Sequence, residues 1–206
     1  MNSNSLKSTV RSLRIAANSD DWERREYAGF ALRDLIELHF DEGIRLTHNW
    51  ATDPSDRIRR ALCLSCMQRK KYTTPRKVRT ILKRLRPIMN DESLYVRKCC
   101  GPFVVGYLGY TYPTITLPWL ASQAKKSNLN IRTNVAKAFS QALGGRHPHD
   151  ALQILNLLSS DPRPRLRAAV ASALRNVLRR NKKSWPTLES SFPQLQTLVR
   201  KAAQNA

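Results

Sequence analysis

Four cations, Arg76, Arg79, Lys83 and Arg86, recur at i, i+3, i+7 and i+10, while Val78, Ile81, Leu82 and Leu85 fill positions between them. On a helix of 3.6 residues per turn this spacing gathers the cations on one face and the aliphatics on the other. A row of guanidinium and ammonium groups suits a row of phosphates, because each can give a charge-assisted hydrogen bond to an oxyanion. The neighbourhood sharpens the pattern. Residues 57–146 carry 19 Lys or Arg against two carboxylates, Asp91 and Glu92, whereas a surface shaped for solubility alone intersperses both signs. Over all 206 residues, 36 Lys+Arg outweigh 15 Asp+Glu, for a net charge of +21. A field of that strength concentrates polyanions, so nucleic acid, held mainly by its phosphate backbone, is the expected partner. An acidic membrane surface is the weaker competitor, since no long amphipathic anchor stands apart from the rest of the chain.

Other chemistries find less support. Cys63-x-x-Cys66 and Cys99-Cys100 could in principle supply four thiolates at zinc-like spacing. They fall inside apolar helical patterns where small buried hydrophobes are the simpler reading. Four reduced thiols and no metal or other cofactor are therefore expected. His39, His48, His147 and His149 have no Cys, Ser or carboxylate partner at a motif spacing. No phosphate loop, nucleophile elbow or dinucleotide fingerprint is present. No apolar run approaches the roughly 20 residues needed to span a bilayer, and the first residues, MNSNSLK, lack the apolar stretch of a secretory signal. A cytoplasmic monomer is expected, nucleoid-associated in a bacterial setting.

The elements that position the basic row are set by an internal repeat. Each unit opens with an Asp-, Asn- or Ser-rich cap and leads through a marker arginine into small and apolar residues. The markers are Arg25, Arg59, Arg97, Arg132 and Arg167, separated by 34, 38, 35 and 35 residues. Seven residues after each stands Leu32, Cys66, Val104, Phe139 or Leu174, the echo of one buried helical face. Asp53-Pro54 and Asp161-Pro162 read as an N-cap followed by a first-turn proline. Between the marker helices lie further amphipathic segments, at 75–89, 113–126 and 147–159. Units of this length cannot bury an apolar face alone, so they must stack. The fold class expected is all-α, a HEAT/armadillo-like superhelix of about five two-helix repeats. It would form one domain over residues 1–206, with 182–206 as its C-terminal cap. Gly101-Pro102 falls inside the third marker helix and predicts a distortion there. The marker arginines can bond the cap Asp of their own or a neighbouring repeat, a ladder role at least as fitting as phosphate contact for Arg25, Arg97 and Arg167. Arg60 and Lys98, one position further round, have no such duty. The expected DNA-binding set is therefore Arg59, Arg60, Arg76, Arg79, Lys83, Arg86, Lys98 and Arg132.

Residues 21–28 (DWERREYA), 49–61 (NWATDPSDRIRRA) and 91–98 (DESLYVRK) resemble the HEAT-like-repeat DNA alkylation repair proteins, the alkylpurine DNA glycosylase superfamily. The resemblance covers roughly residues 19–180, and its Asp-x-x-x-apolar-Arg element is shared with HEAT proteins generally. It implies a curved array whose concave basic face cradles duplex DNA. In active members it implies excision of cationic N-alkylated purines, by tryptophans that face the charged base and a carboxylate that stabilises the oxocarbenium-like sugar. Trp22, Trp50, Tyr95 and Trp119 are the aromatic candidates. No catalytic carboxylate can be placed, since residues 93–149 contain neither Asp nor Glu. That favours the relatives that bind duplex or branched DNA without removing bases. An active alkylpurine glycosylase is the first alternative, and a HEAT scaffold for an acidic protein is the second.

Overall fold

The computed structural model describes residues 3–182 and Ser190. The cap expected at 182–206 therefore lies, but for Lys182 and Ser190, outside the described residues. Those described are helical throughout, with turns between helices and no strand. The helices pack as stacked hairpins, the all-α repeat architecture anticipated from the marker register. The packing separates into two compact units, Met1–Cys100 and Gly101–Ala206.

In the first unit the helices are α1 (Ser3–Ala17), α2 (Trp22–Leu38), α3 (Phe40–Leu46), α4 (Asp56–Ser65), α5 (Pro75–Met89) and α6 (Leu94–Cys99). Short 3-10 turns, His48–Thr52 and Lys70–Tyr72, link α3 to α4 and α4 to α5. Marker helices α2, α4 and α6 lie side by side; α3 packs on α2, and α5 packs on α4 and α6. The i+7 echoes Leu32 and Cys66 are buried, as are Ile58, Leu62 and Val96 beside them. Burial of such side chains is worth about 1.5–3 kcal/mol each relative to exposure, which is why the apolar stripe and not helix propensity fixes this layer.

The second unit comprises α7 (Gly106–Thr111), α8 (Pro113–Ala124), α9 (Leu129–Ala138), α10 (Ala142–Arg146), α11 (Pro148–Ser159) and α12 (Pro164–Arg180). Here α9 packs along α12, while α8 and α11 form the second layer. Val104, Phe139 and Leu174, the remaining echoes, have no exposed surface. The expected distortion at Gly101-Pro102 is real and has a defined form. Residues Cys100–Val105 wind as a π-helix before α geometry resumes at Gly106. Proline lacks the N–H that an α-turn needs, and the wider turn accommodates the loss. The glycine is required for packing: a Cβ at Gly101 would stand 2.7 Å from both the main-chain and side-chain oxygens of Asn134.

One local expectation is corrected. Asp53 and Asp161 are not N-caps; Ser55 and Arg163 occupy that position, and Pro54 and Pro162 lie in the preceding turn. Each aspartate accepts a hydrogen bond from the backbone N–H two residues on (Ser55 at 2.9 Å, Arg163 at 3.1 Å), and Asp91 does the same with Ser93 at 2.8 Å. This Asx turn ends the incoming segment and leaves the second carboxylate oxygen available to an arginine.

Candidate nucleic-acid interface

Helix α5 is started by Thr74, whose hydroxyl accepts from the Lys77 N–H, and by Pro75 in the first turn. Val78, Ile81, Leu82, Leu85, Ile88 and Met89 are buried against the repeat, which forces the opposite face outward. Arg76, Arg79, Lys83 and Arg86 are all exposed on that face. Ten residues at 1.5 Å rise place Arg86 about 15 Å along the axis from Arg76.

The other cations of α5 behave differently. Lys77 turns back to donate to the Tyr72 carbonyl at 3.0 Å and lies 5.0 Å from the Phe40 ring centroid. Arg84 donates to the Thr47 carbonyl and hydroxyl, at 2.5 and 2.8 Å, and burial pushes its pKa below the ordinary arginine value. Arg76 reaches Asp41 on α3 at 2.9 Å, with both side chains about four-fifths exposed (78% and 81%), so the pair is wet and weak. Among the described residues no carboxylate pairs with Arg79, Lys83 or Arg86. Lys70 and Lys71, in the turn ahead of the helix, are exposed as well.

The marker-helix cations serve the repeat itself. Arg59 donates from one nitrogen to the Asp53 and Pro54 carbonyls of its own turn, at 2.6 and 3.0 Å. With its other nitrogens it grips Asp91 of the next repeat at 2.6 and 3.0 Å. That bidentate bond raises the Arg59 pKa further above its ordinary value. Arg132 makes a single ion-pair contact with Asp161 at 3.2 Å, without a hydrogen bond from its Nε, and Arg14 of α1 pairs with Asp53. Arg25 and Arg97 bond carbonyls of their own turns. Arg60 has a partner after all: it donates to Glu26 on α2, at 2.9 and 2.6 Å, and lies 4.5 Å over the Tyr95 ring on α6. Lys98 is exposed. Thus the residues of the expected DNA-binding set fall in different layers. Arg59, Arg60 and Lys98 belong to the marker-helix layer, and the α5 residues to the second layer of the same unit. Arg132 stands in the other unit.

The aromatic candidates differ in their surroundings. Trp50 is buried core. Tyr95 is occupied by the chain's own cations, Arg60 over its ring and the Arg25 Nε donating to its hydroxyl at 3.1 Å. Trp22 is 63% exposed at the start of α2, and Trp119 is half-buried in α8. Four buried carboxylates, Glu37, Asp53, Asp91 and Asp161, are each held by arginine: Arg69 for Glu37, Arg14 for Asp53, Arg59 for Asp91, and Arg132 with Arg163 for Asp161. Hydrogen bonding from Arg163 holds the Asp161 pKa down at about 2.

All four cysteines are free and buried. Burial pushes the Cys63 thiol well up and Cys66 to about 11; Cys99 is raised first by its bond to Cys63 and then by burial. The thiolate is thus disfavoured at Cys63, Cys66 and Cys99. No group of three or more His, Cys, Asp or Glu among the described residues could hold a metal ion. No described helix is long and apolar enough to cross a membrane.

One feature of the second unit was not singled out in the sequence. A cavity of about 240 Å³ is lined by Pro102, Phe103, Gly106, Tyr107, Tyr110, Gln141, Ala142 and Arg180. Its aromatic residues are spaced four and three apart, a helical pattern visible in the chain but indistinguishable there from core.

The fold and these side chains define a basic helical-repeat protein. Neither the protein-family models nor the curated proteins contain a match to the sequence. Among solved structures, a designed armadillo repeat protein is similar over 97% of each chain, with 17% identity and a TM-score of 0.46. An engineered protein aligns over 99% of this chain and 96% of its own, with 15% identity and a TM-score of 0.46.

Proposed function

We propose that this is a DNA-binding helical-repeat protein that holds the phosphate backbone of duplex or branched DNA on the exposed face of α5. We further propose kinship with the alkylation repair glycosylases without their base excision. The observation that carries the binding is the exposed, carboxylate-free set Arg79, Lys83 and Arg86, on a helix whose opposite face is core. A protein carrying +21 that neutralises most of its carboxylates internally leaves its excess positive charge for an external anion. The capture of these buried carboxylates by arginines supports the reading without excision, because each already has a cationic partner within the chain.

The test is binding to plain, nicked, branched and alkylated duplexes at two salt concentrations, scored also for released base. Affinity should fall steeply with salt and vary little among unrelated sequences, since phosphate contacts carry no base information. Robust multiple-turnover release of a methylated purine would establish the glycosylase instead. Failure to bind any duplex at low salt would transfer the basic face to an acidic protein partner.

A further inference from the structure

The cavity of the second unit has a composition that plain phosphate contact does not need. Phe103 and Tyr110 are 54% and 49% exposed, and together they leave aromatic surface open to a ligand. They come from the π-turn and α7 and share the wall with Tyr107. Across from them stand Gln141, exposed at the start of α10, and Arg180, exposed at the end of α12. Tyr110, Gly145 and Arg180 each lie 13 residues after a marker arginine, so they hold one position in three successive repeats. The middle one is glycine, and the Arg180 stem occupies the space its side chain would take: a Cβ there would be 2.4 Å from the Arg180 Cδ. Asn176 accepts from the Arg180 Nε at 3.1 Å. The guanidinium is thereby steered beside the aromatic wall, and no carboxylate pairs with it among the described residues.

We propose that this cavity seats one unstacked base of single-stranded nucleic acid. Phe103 and Tyr110 supply stacking surfaces, Gln141 an amide for the base edge, and Arg180 a cation for the adjoining phosphate. Aromatic faces with an adjacent cation are the chemistry that single strands use, because every base has a π-face. At about 240 Å³ the space admits one ring system and not a dinucleotide cofactor. The proposal rests on the reading of the chain as a nucleic-acid binder, and its site is separate from α5.

The experiment compares the full chain binding a short single-stranded oligonucleotide with the same strand made abasic at its central positions. A fluorescent 2-aminopurine reports stacking. The wild type should prefer the base-containing strand and quench the probe. Phe103→Ala with Tyr110→Ala should lower that preference by about tenfold or more, leaving abasic affinity unchanged. Arg180→Gln, at an exposed position, should weaken both strands and so tests the cation without touching the wall. Equal affinity of the wild type for the two strands would overturn the proposal. So would aromatic variants that keep the preference, or that lose thermal stability alone, the sign that the chain itself fills the cavity. Reversal of the α5 charges in a parallel arm reads the other site: duplex affinity lost there with base preference intact at the cavity, or the converse, shows which reading has failed.

Discussion

Reversing charge at Arg79, Lys83 and Arg86 together should weaken DNA binding with a salt signature that identifies phosphate as the group they hold. These three are exposed and carry no ion pair among the described residues, unlike Arg76, which shares its charge with Asp41. Each phosphate neutralised contributes about 0.9 to the slope of log affinity against log salt, so removing three such interactions should flatten that slope by about 2.7. Between 50 and 200 mM salt the ratio of wild-type to variant affinity should then shrink by about 40-fold. The fold should survive. Val78, Ile81, Leu82 and Leu85 are untouched core, and exposed substitutions cost about 0.5 kcal/mol or less. Fluorescence anisotropy on a labelled duplex across a salt series gives both affinity and slope, with circular dichroism as the control for folding. Full affinity in the triple variant would move the DNA site off α5. Weaker affinity at an unchanged slope would show that α5 acts through shape and not through counterion release.

Arg59→Met should destabilise the first unit by about 3 kcal/mol, because it leaves Asp91 buried without its bidentate partner; a change below about 1 kcal/mol in denaturant unfolding would refute the ladder as a structural element. Asp161 has its folded pKa depressed from 3.8 to about 2, so its contribution is fully present above pH 4 and is lost as pH falls from 4 toward 2. Asp161→Asn should accordingly lower the thermal midpoint at pH 6 and remove part of the wild type's decline across that window, and parallel pH profiles for the two proteins would contradict this assignment. The four thiols should resist Ellman's reagent at pH 8 in the native protein and react fully in denaturant; rapid native reaction of two or more would show that the core around Cys63 opens.

The repeat was legible because it rests on period. Marker spacing and the i+7 echo depend only on which residues return to one helical face, and all five echo positions proved buried. The cap chemistry was legible in kind but displaced by two residues, since an Asx turn and an N-cap use the same residue types in adjacent places. The basic row on α5 could be read from one helix alone, because its own aliphatic face fixes which side turns outward. Arg60 could not. Its freedom depended on whether Glu26, 34 residues away, stood opposite it, and a single sequence shows the spacing of residues along a helix without showing what the neighbouring helix presents. The cavity on α7 was hidden for a related reason. Phe103, Tyr107 and Tyr110 have a core-like spacing, and only the glycine at 145, one repeat away, leaves room for the stem of the Arg180 that lines the cavity with them.

The same distinction explains why so basic a chain can fold. Arginine within the marker layer is bound at fixed distances to turn carbonyls and to buried aspartates, which offsets the desolvation of both partners. A guanidinium fork can hold its own turn and the next repeat at once, as Arg59 does with Asp53, Pro54 and Asp91; an ammonium has no such planar fork. Lys70, Lys71, Lys83 and Lys98 are exposed, where a flexible point charge suits a diffuse anion, while Lys77 turns back to the Tyr72 carbonyl. The net charge of +21 is therefore not one uniform property of the surface. Some of the 36 cations pair with carboxylates in joining one repeat to the next, and Arg79, Lys83 and Arg86 of α5 belong to the excess, unpaired among the described residues. Compensating those joints with more surface carboxylates would quench the field that gathers polyanions. Burying the few aspartates and pairing each with arginine stabilises the stack while leaving that field in place.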